Sequence, residues 1–480
     1  MVGCTISPLA FTMAMEVIIR ASKWVVGGER LTSGIRLPPI RANMDDMTTM
    51  TTTVPCTRHL LGKLQENITG ARMKFKPSKS RSISVIKGKL VEQRFYIDQE
   101  PIPTVTEKPT KSLGRWYDSK LKDSDQAHEL RQELIKGLEV IDQSMLPGKL
   151  KIRCLQFGLL PRLMWPLTMY DITLTTDEKM ERMISSHLRK LGAPRCLSSI
   201  ALYGQGLLQL PLSSLTEEFK CIKVRLEMTL TESKDTVIRA AAPTLATGRK
   251  WTVKNTVQQA KSALHHSDIV GQVQHGRTGL GQGEKRPCWS KAASRERRKM
   301  VVAEVRRQEE ANRCAKAVPQ VKQGQWMRWE SVEKRNITWK DMWEMETSRI
   351  SFLIRSTYDV LPTPTNLNQW LGEDPSCPLC STPATLRHIL VGCKVSLSQG
   401  RYTWRHNQVL KGLAATLESR RTPINALPPR VTNSANPIAF VREGQQGQRK
   451  FPPRARLGEL EAARDWQMLV DVGQRLTVQP

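Results

Sequence analysis

The chain has 480 residues, a mass of 54.4 kDa and a formal net charge of +29, from 74 lysines and arginines against 45 acidic residues. That length exceeds what one compact core usually fills, and a hydrophobic content of 39% excludes a wholly disordered polymer, so several packed regions joined by polar connectors are expected. Cationic excess spread along the chain suits a polyanionic partner such as nucleic acid better than a membrane surface, which would favour one amphipathic helix; a basic but merely solvated protein stays open.

Of the ten cysteines, seven are scattered (Cys4, Cys56, Cys154, Cys196, Cys221, Cys288, Cys314), which favours a reducing compartment over a disulfide framework. The longest apolar stretches are too short to span a bilayer and no signal peptide is recognisable, so a nuclear or cytoplasmic location is expected.

In chain order, Phe11, Met15, Ile18 and Ile19 share one face of a helix over 10–22, with Pro8 near its start. Residues 37–53 predict a β-hairpin with Asp45 and Asp46 at its turn. Leu60, Leu61, Leu64, Ile68 and Met73 return to helical spacing over 57–74. A lysine-rich turn follows, then strands over 82–86 and 90–97 around Lys87-Gly88-Lys89, completing an α+β region to residue 118.

Residues 119–233 predict a helical domain, and 234–320 a basic connector, with weak helices over 234–285. Within it, 285–316 carries eleven cations against four glutamates, among them Arg297, Arg298, Arg306 and Arg307. This is either a solvated helix laced with ion pairs or a helix that contacts nucleic acid. Trp326, Trp329, Trp339, Trp343 and Trp370 mark an aromatic-rich module over 321–420, as buried core or as stacking surfaces for bases. Residues 421–480 predict a linker and a last helix over 457–472.

Two sets of residues carry chemistry. Cys377, Cys380, His388 and Cys393 form Cys-x2-Cys-x7-His-x4-Cys, three thiolates and an imidazole suited to tetrahedral zinc. A closed set of four leaves no position for water, so the zinc is expected to be structural. Asp45 and Asp46 are weak evidence alone, since paired acids are common at turns, but carboxylates at a hairpin tip can hold divalent metal for phosphoryl transfer. Beyond them Lys74, Lys76, Lys79 and Arg81 form a basic loop suited to phosphates.

The order of these segments resembles reverse transcriptases, closely those of LINE-type retrotransposons that carry a restriction-like endonuclease. Gly3-Cys4-Thr5-Ile6-Ser7-Pro8 is similar to that family's Gln-Gly-x-x-x-Ser-Pro segment, with Val2 in place of Gln. Asn43-Met44-Asp45-Asp46 resembles its aromatic-x-Asp-Asp hairpin, with Asn43 in place of the aromatic residue, and Lys79-Ser80 its Lys-Ser/Thr loop. Leu113-Gly114-Arg115-Trp116 looks like the Leu-Gly turn that contacts the primer, and the cysteine-histidine motif like the knuckle that follows the thumb.

The resemblance implies a partial polymerase palm, a helical thumb-like domain and a zinc-knuckle module. It further implies RNA-directed DNA polymerisation on template RNA and DNA, with Asp45, Asp46 and Lys79 in the catalytic set, magnesium on the two aspartates, and Gly114 at the nucleic acid. The family's first catalytic aspartate lies on a strand before the Gly3 segment, so the chain is expected to be an internal piece that does not polymerise alone. The competing expectation is a nucleic-acid-binding zinc-knuckle protein without catalysis.

Overall fold

The computed structural model describes residues 6–44, 46–190, 198–204, 208–270, 273–276, 279–282, 289–320, 335–426 and 467–468. They fold as a mixture of many helices and a few short strands, divided into one unit over Met1–Val360 and a second over Leu361–Pro480. The expected helix over 457–472 lies outside the described residues except for 467 and 468, as do Gly3, Cys4, Trp326 and Trp329.

In the first unit, helix Ser7–Lys23 starts on Pro8 and buries Met15, Ile18 and Ser22. Helix Val54–Gly70 is capped by Thr53, whose hydroxyl accepts the Cys56 N–H at 3.3 Å, and buries Leu60, Leu64 and Ile68 at four-residue intervals. The two helices are joined by a polar contact within their apolar seam, where the Asn67 side-chain amide donates to the Ser22 hydroxyl at 2.8 Å.

Between them runs the hairpin Ile40–Asn43/Asp46–Thr49, with Asn43 opposite Asp46 across the turn. Ile40 is buried at its base and Met47 packs against both helices, so one face of the hairpin is held while its tip is exposed. The later strands are shorter than the sequence suggests. Val85–Ile86 pairs with Lys89–Leu90, Phe95–Ile97 with Glu100–Ile102, and Thr110–Ser112 with Arg115–Tyr117. Among the described residues these pairs do not merge, and each sheet has two strands.

The largest core belongs to the helices that follow. Leu130, Leu134, Leu138 and Ile141 of helix Asp123–Gln143 pack with Leu155, Leu159, Leu163 and Leu167, and with Met180, Ile184 and Leu188 of helix Leu174–Lys190. Gly148–Cys154, a π-helical turn Leu155–Leu159 and Leu160–Met169 follow one another without a break. Ile337, Met342, Ile350, Ile354 and Tyr358 join this same core. The segment containing Trp339 and Trp343 therefore packs with the helical domain, whereas sequence grouped it with the metal motif.

Helix Leu215–Thr231 serves two cores, because Leu215 and Phe219 face the first while Cys221, Val224 and Met228 face a second. The second core is completed by Val253, Val257 and Ala260 of helix Val253–Val270 and by Val301, Val302 and Val305 of helix Ser294–Ala317. The stretch 234–285, expected to carry only weak helices, thus contributes a packed helix, and the basic helix expected over 285–316 is packed against it on one face. In the second unit, helix Pro364–Leu371 begins at the Thr363 cap and ends at left-handed Gly372, and helix Arg401–Ala426 follows the metal motif. No helix among the described residues is long and apolar enough to cross a membrane.

Candidate metal centre

The first two ligands sit on a tight turn. Ser376 bridges Pro383, the Cys377 N–H donates to the Thr382 carbonyl at 2.7 Å, and the Ser381 N–H donates back to the Cys377 carbonyl at 2.8 Å. Ser381 takes a left-handed conformation (φ 55°), reversing the chain immediately after Cys380. Thr385 then starts the ascent to the third ligand, its hydroxyl accepting the His388 N–H at 3.1 Å. The π-helical turn His388–Gly392 delivers Cys393, which caps helix Lys394–Ser398 by accepting the Ser396 N–H on its sulfur at 3.4 Å.

These elements bring the donor atoms of Cys377, Cys380, His388 and Cys393 within 4.8 Å of one another. The Cys380 and Cys393 sulfurs are 3.8 Å apart, and Nε2 of His388 is 3.3 Å from the Cys380 sulfur. With Zn–S bonds near 2.3 Å and Zn–N near 2.0–2.1 Å, tetrahedral ligands stand about 3.8 Å apart for a sulfur pair and about 3.6 Å for sulfur and nitrogen. The donors are therefore already spaced for a metal such as zinc, with His388 presenting Nε2.

The surroundings favour the ligating forms. Hydrogen bonding from Ser396, with smaller help from Cys380 and Cys377, lowers the Cys393 thiol to about 6, toward the thiolate that a metal needs. The Thr382 hydroxyl lies 3.5 Å from Nδ1 of His388 and orients the ring by its other nitrogen. Cys377 and Cys393 are buried with Ala384, while Cys380 and His388 are partly exposed. Thr382 and Tyr402, whose hydroxyl accepts the Cys393 N–H, are supports that ligand spacing alone does not reveal.

The other candidate residues are distributed over the first unit. Asp45 lies outside the described residues, and Asp46 is exposed at the hairpin tip. In the basic loop Phe75 is partly buried and Pro77 buried, so Lys74, Lys76 and Lys79 point outward from an anchored turn. Arg81 instead braces the loop, donating to the carbonyls of Lys108 (2.9 Å), Ser78 (2.8 Å) and Ser80 (2.5 Å).

Gly114 occupies a left-handed turn (φ 83°) between Thr110–Ser112 and Arg115–Tyr117, and a Cβ there would enter the indole of Trp165. The long basic helix is laced with ion pairs. Arg306 reaches Glu217 and Glu218, each at 2.6 Å, Arg313 reaches Glu217 at 2.5 Å, and Lys220 reaches Glu309 at 2.7 Å. Arg307 pairs with Glu304 at 2.7 Å, Arg298 donates to the Thr229 hydroxyl at 3.2 Å, and Arg297 lies 5.4 Å over the Trp289 ring.

Compared with known protein families, the chain matches no family model. No curated protein matches it either.

Proposed function

We propose that the protein is a nucleic-acid-binding chain of reverse-transcriptase origin, in which a palm-like segment and a thumb-like helical segment precede a knuckle that holds structural zinc. The cysteine-histidine cluster carries this reading. Its donors close around one ion and leave no position for a substrate, so the metal's contribution is to fold a small module. Such a module in a chain of net charge +29 suits attachment to a polyanion. The reverse-transcriptase origin rests on the order of motifs, and on a carboxylate-tipped hairpin held between two helices.

By the same resemblance Asp45 and Asp46 would hold magnesium for RNA-directed DNA polymerisation. For this chain the proposal commits to binding only: among the described residues the hairpin strands pair only with each other, and the polymerase reading would need a further carboxylate beside Asp46. A two-metal site short of a carboxylate loses much of the electrostatic stabilisation on which phosphoryl transfer depends.

Two measurements test the proposal. Fluorescence anisotropy with an RNA–DNA primer–template hybrid is expected to show binding that weakens steeply with salt; no binding at low salt overturns the binding role. Primer extension on RNA with magnesium is expected to show no product. Extension that disappears in Asp46→Ala would instead assign polymerase activity to this chain.

A further inference from the structure

The continuous helical run over residues 148–169 exposes an unusual face. Arg153, Phe157, Pro161 and Trp165 recur every four residues, and all four are exposed, with Phe157 58% and Trp165 53% accessible. Arg153 and Phe157 stand beside one another across the π-helical turn, Pro161 and Trp165 follow at the four-residue spacing of an α-helix, and twelve helical residues span about 18 Å. Single exposed apolar residues are ordinary, but a row of rings is not.

Both ends of the row are extended by aromatic residues from elsewhere in the same unit. At one end Arg153 lies over the rings of Phe157 (6.0 Å) and Trp343 (5.8 Å), and Phe157 packs at 5.1 Å against Trp339. Trp343 is 58% exposed, so the guanidinium and two open rings form a notch. At the other end Trp165 abuts Gly114, and Lys111 lies 6.0 Å over Trp116 of the same hairpin.

Charge indicates the occupant. Residues 144–170 contain Lys149, Lys151, Arg153 and Arg162 and no acidic residue. On the adjoining helix Trp339–Glu344, Asp341 is engaged by Thr338 at 2.8 Å and Glu344 pairs with Lys340 at 3.8 Å. Glu129 and Glu133 line the groove beside Arg162, Asp142 meets Lys151 through its carbonyl, and Glu346 follows Met345, whose carbonyl receives Lys149. A protein partner for exposed rings needs apolar side chains, whereas rings alternating with guanidiniums on a segment that itself carries no acid match the flat bases and phosphates of an unpaired strand.

We infer that this ridge, from the Arg153–Phe157–Trp343 notch to Trp165, is a stacking platform for single-stranded nucleic acid. The inference rests on the nucleic-acid reading above and assigns it a surface. Its length holds several bases at about 3.4 Å per stacked step, and each base stacked on a ring contributes roughly 1–3 kcal/mol, about 5- to 150-fold in affinity.

The test compares fluorescein-labelled oligo(U) of about 20 nucleotides with an abasic strand of the same length and charge, using the full chain and anisotropy. Wild type is expected to prefer the base-bearing strand by at least about tenfold. The double variant Phe157→Leu/Trp343→Leu is expected to lose at least about fivefold of that preference while keeping abasic binding and its salt slope. Trp343→Phe, which keeps an aromatic face, is expected to retain most of it, so a folding defect in the double variant does not decide the matter. A wild type without preference, or a Phe157→Leu single variant and a double variant that both keep it, overturns the platform but leaves binding intact. Binding to neither strand at low salt removes the nucleic-acid reading as well. A dimer abolished by the double variant would reassign the ridge to self-association.

Discussion

The Tyr402 hydroxyl stands 3.2 Å from the backbone nitrogen of Cys393 and accepts its hydrogen bond, while lying 3.3 Å from the carbonyls of His388 and Ile389. One phenol thus ties both ends of the π-helical turn that separates the last two ligands. Tyr402→Phe keeps the ring and removes this tie. It is expected to weaken zinc affinity about 10- to 100-fold, as measured by competition with a chromogenic chelator. Unchanged affinity would show that the turn holds its shape without the phenol.

Zinc itself should be stoichiometric. Purified protein is expected to contain about one zinc per chain, bound with on the order of 10 kcal/mol of free energy that folds the surrounding module. Cys380→Ser and His388→Ala should each abolish it by elemental analysis. If both variants retain metal, the cluster is not the site.

The cations divide into two groups with opposite expected behaviour. Lys74→Ala, Lys76→Ala and Lys79→Ala remove exposed charges from the anchored loop, and each should reduce the slope of log affinity against log salt by up to about one without lowering stability. Arg306→Ala strands Glu218, which is 25% exposed, and leaves Glu217, 11% exposed, to Arg313 alone. It is expected to destabilise the first unit by about 2 kcal/mol in urea unfolding while leaving the salt slope unchanged. The reverse pattern would make the basic helix the binding surface.

Asp177 gives the first unit a pH signature. Its carboxylate is fully buried, and burial, only partly offset by the Thr216 hydroxyl, pushes its pKa up to about 8 from 3.8. The folded state therefore holds a proton that the unfolded chain releases, and stability from this group is full below about pH 4 and declines as pH rises to about 8. Asp177→Asn imitates the protonated acid. It should raise the melting temperature by at least about 2 °C at pH 8 and by less at pH 5. An equal change at both pH values would contradict a proton-linked origin.

The sequence was most informative where one element carries its own pattern. Leu60, Leu64 and Ile68 repeat on one helical face, and Cys377, Cys380, His388 and Cys393 lie within one short segment, so spacing alone identifies both. Helix Val253–Val270 was hidden because its buried residues, Val253, Val257 and Ala260, are small and sit among Thr, Gln and Lys; tertiary packing supplies what local hydrophobicity does not. The engagement of Arg306 was invisible for a different reason. Its partners are 89 and 88 residues away, and charge counts within a window cannot anticipate them.

Three successive carbonyls at the end of helix Leu160–Met169 are each served by a cation from another segment. Buried Lys223 of helix Leu215–Thr231 donates to Thr168 (3.0 Å) and Tyr170 (2.7 Å), and Arg115 of the hairpin donates to Met169 (3.0 Å). Helix C-termini attract positive charge, but here the charges also make one event of three openings. Fraying the last helical turn would strand a lysine with no access to water and release the hairpin, whose Trp116 N–H donates to the Tyr170 hydroxyl at 2.7 Å. The small hairpin therefore borrows the persistence of the helical core. Its amides should exchange with solvent at the slow rate of that core, while those of the separate pair Val85–Ile86/Lys89–Leu90 exchange early.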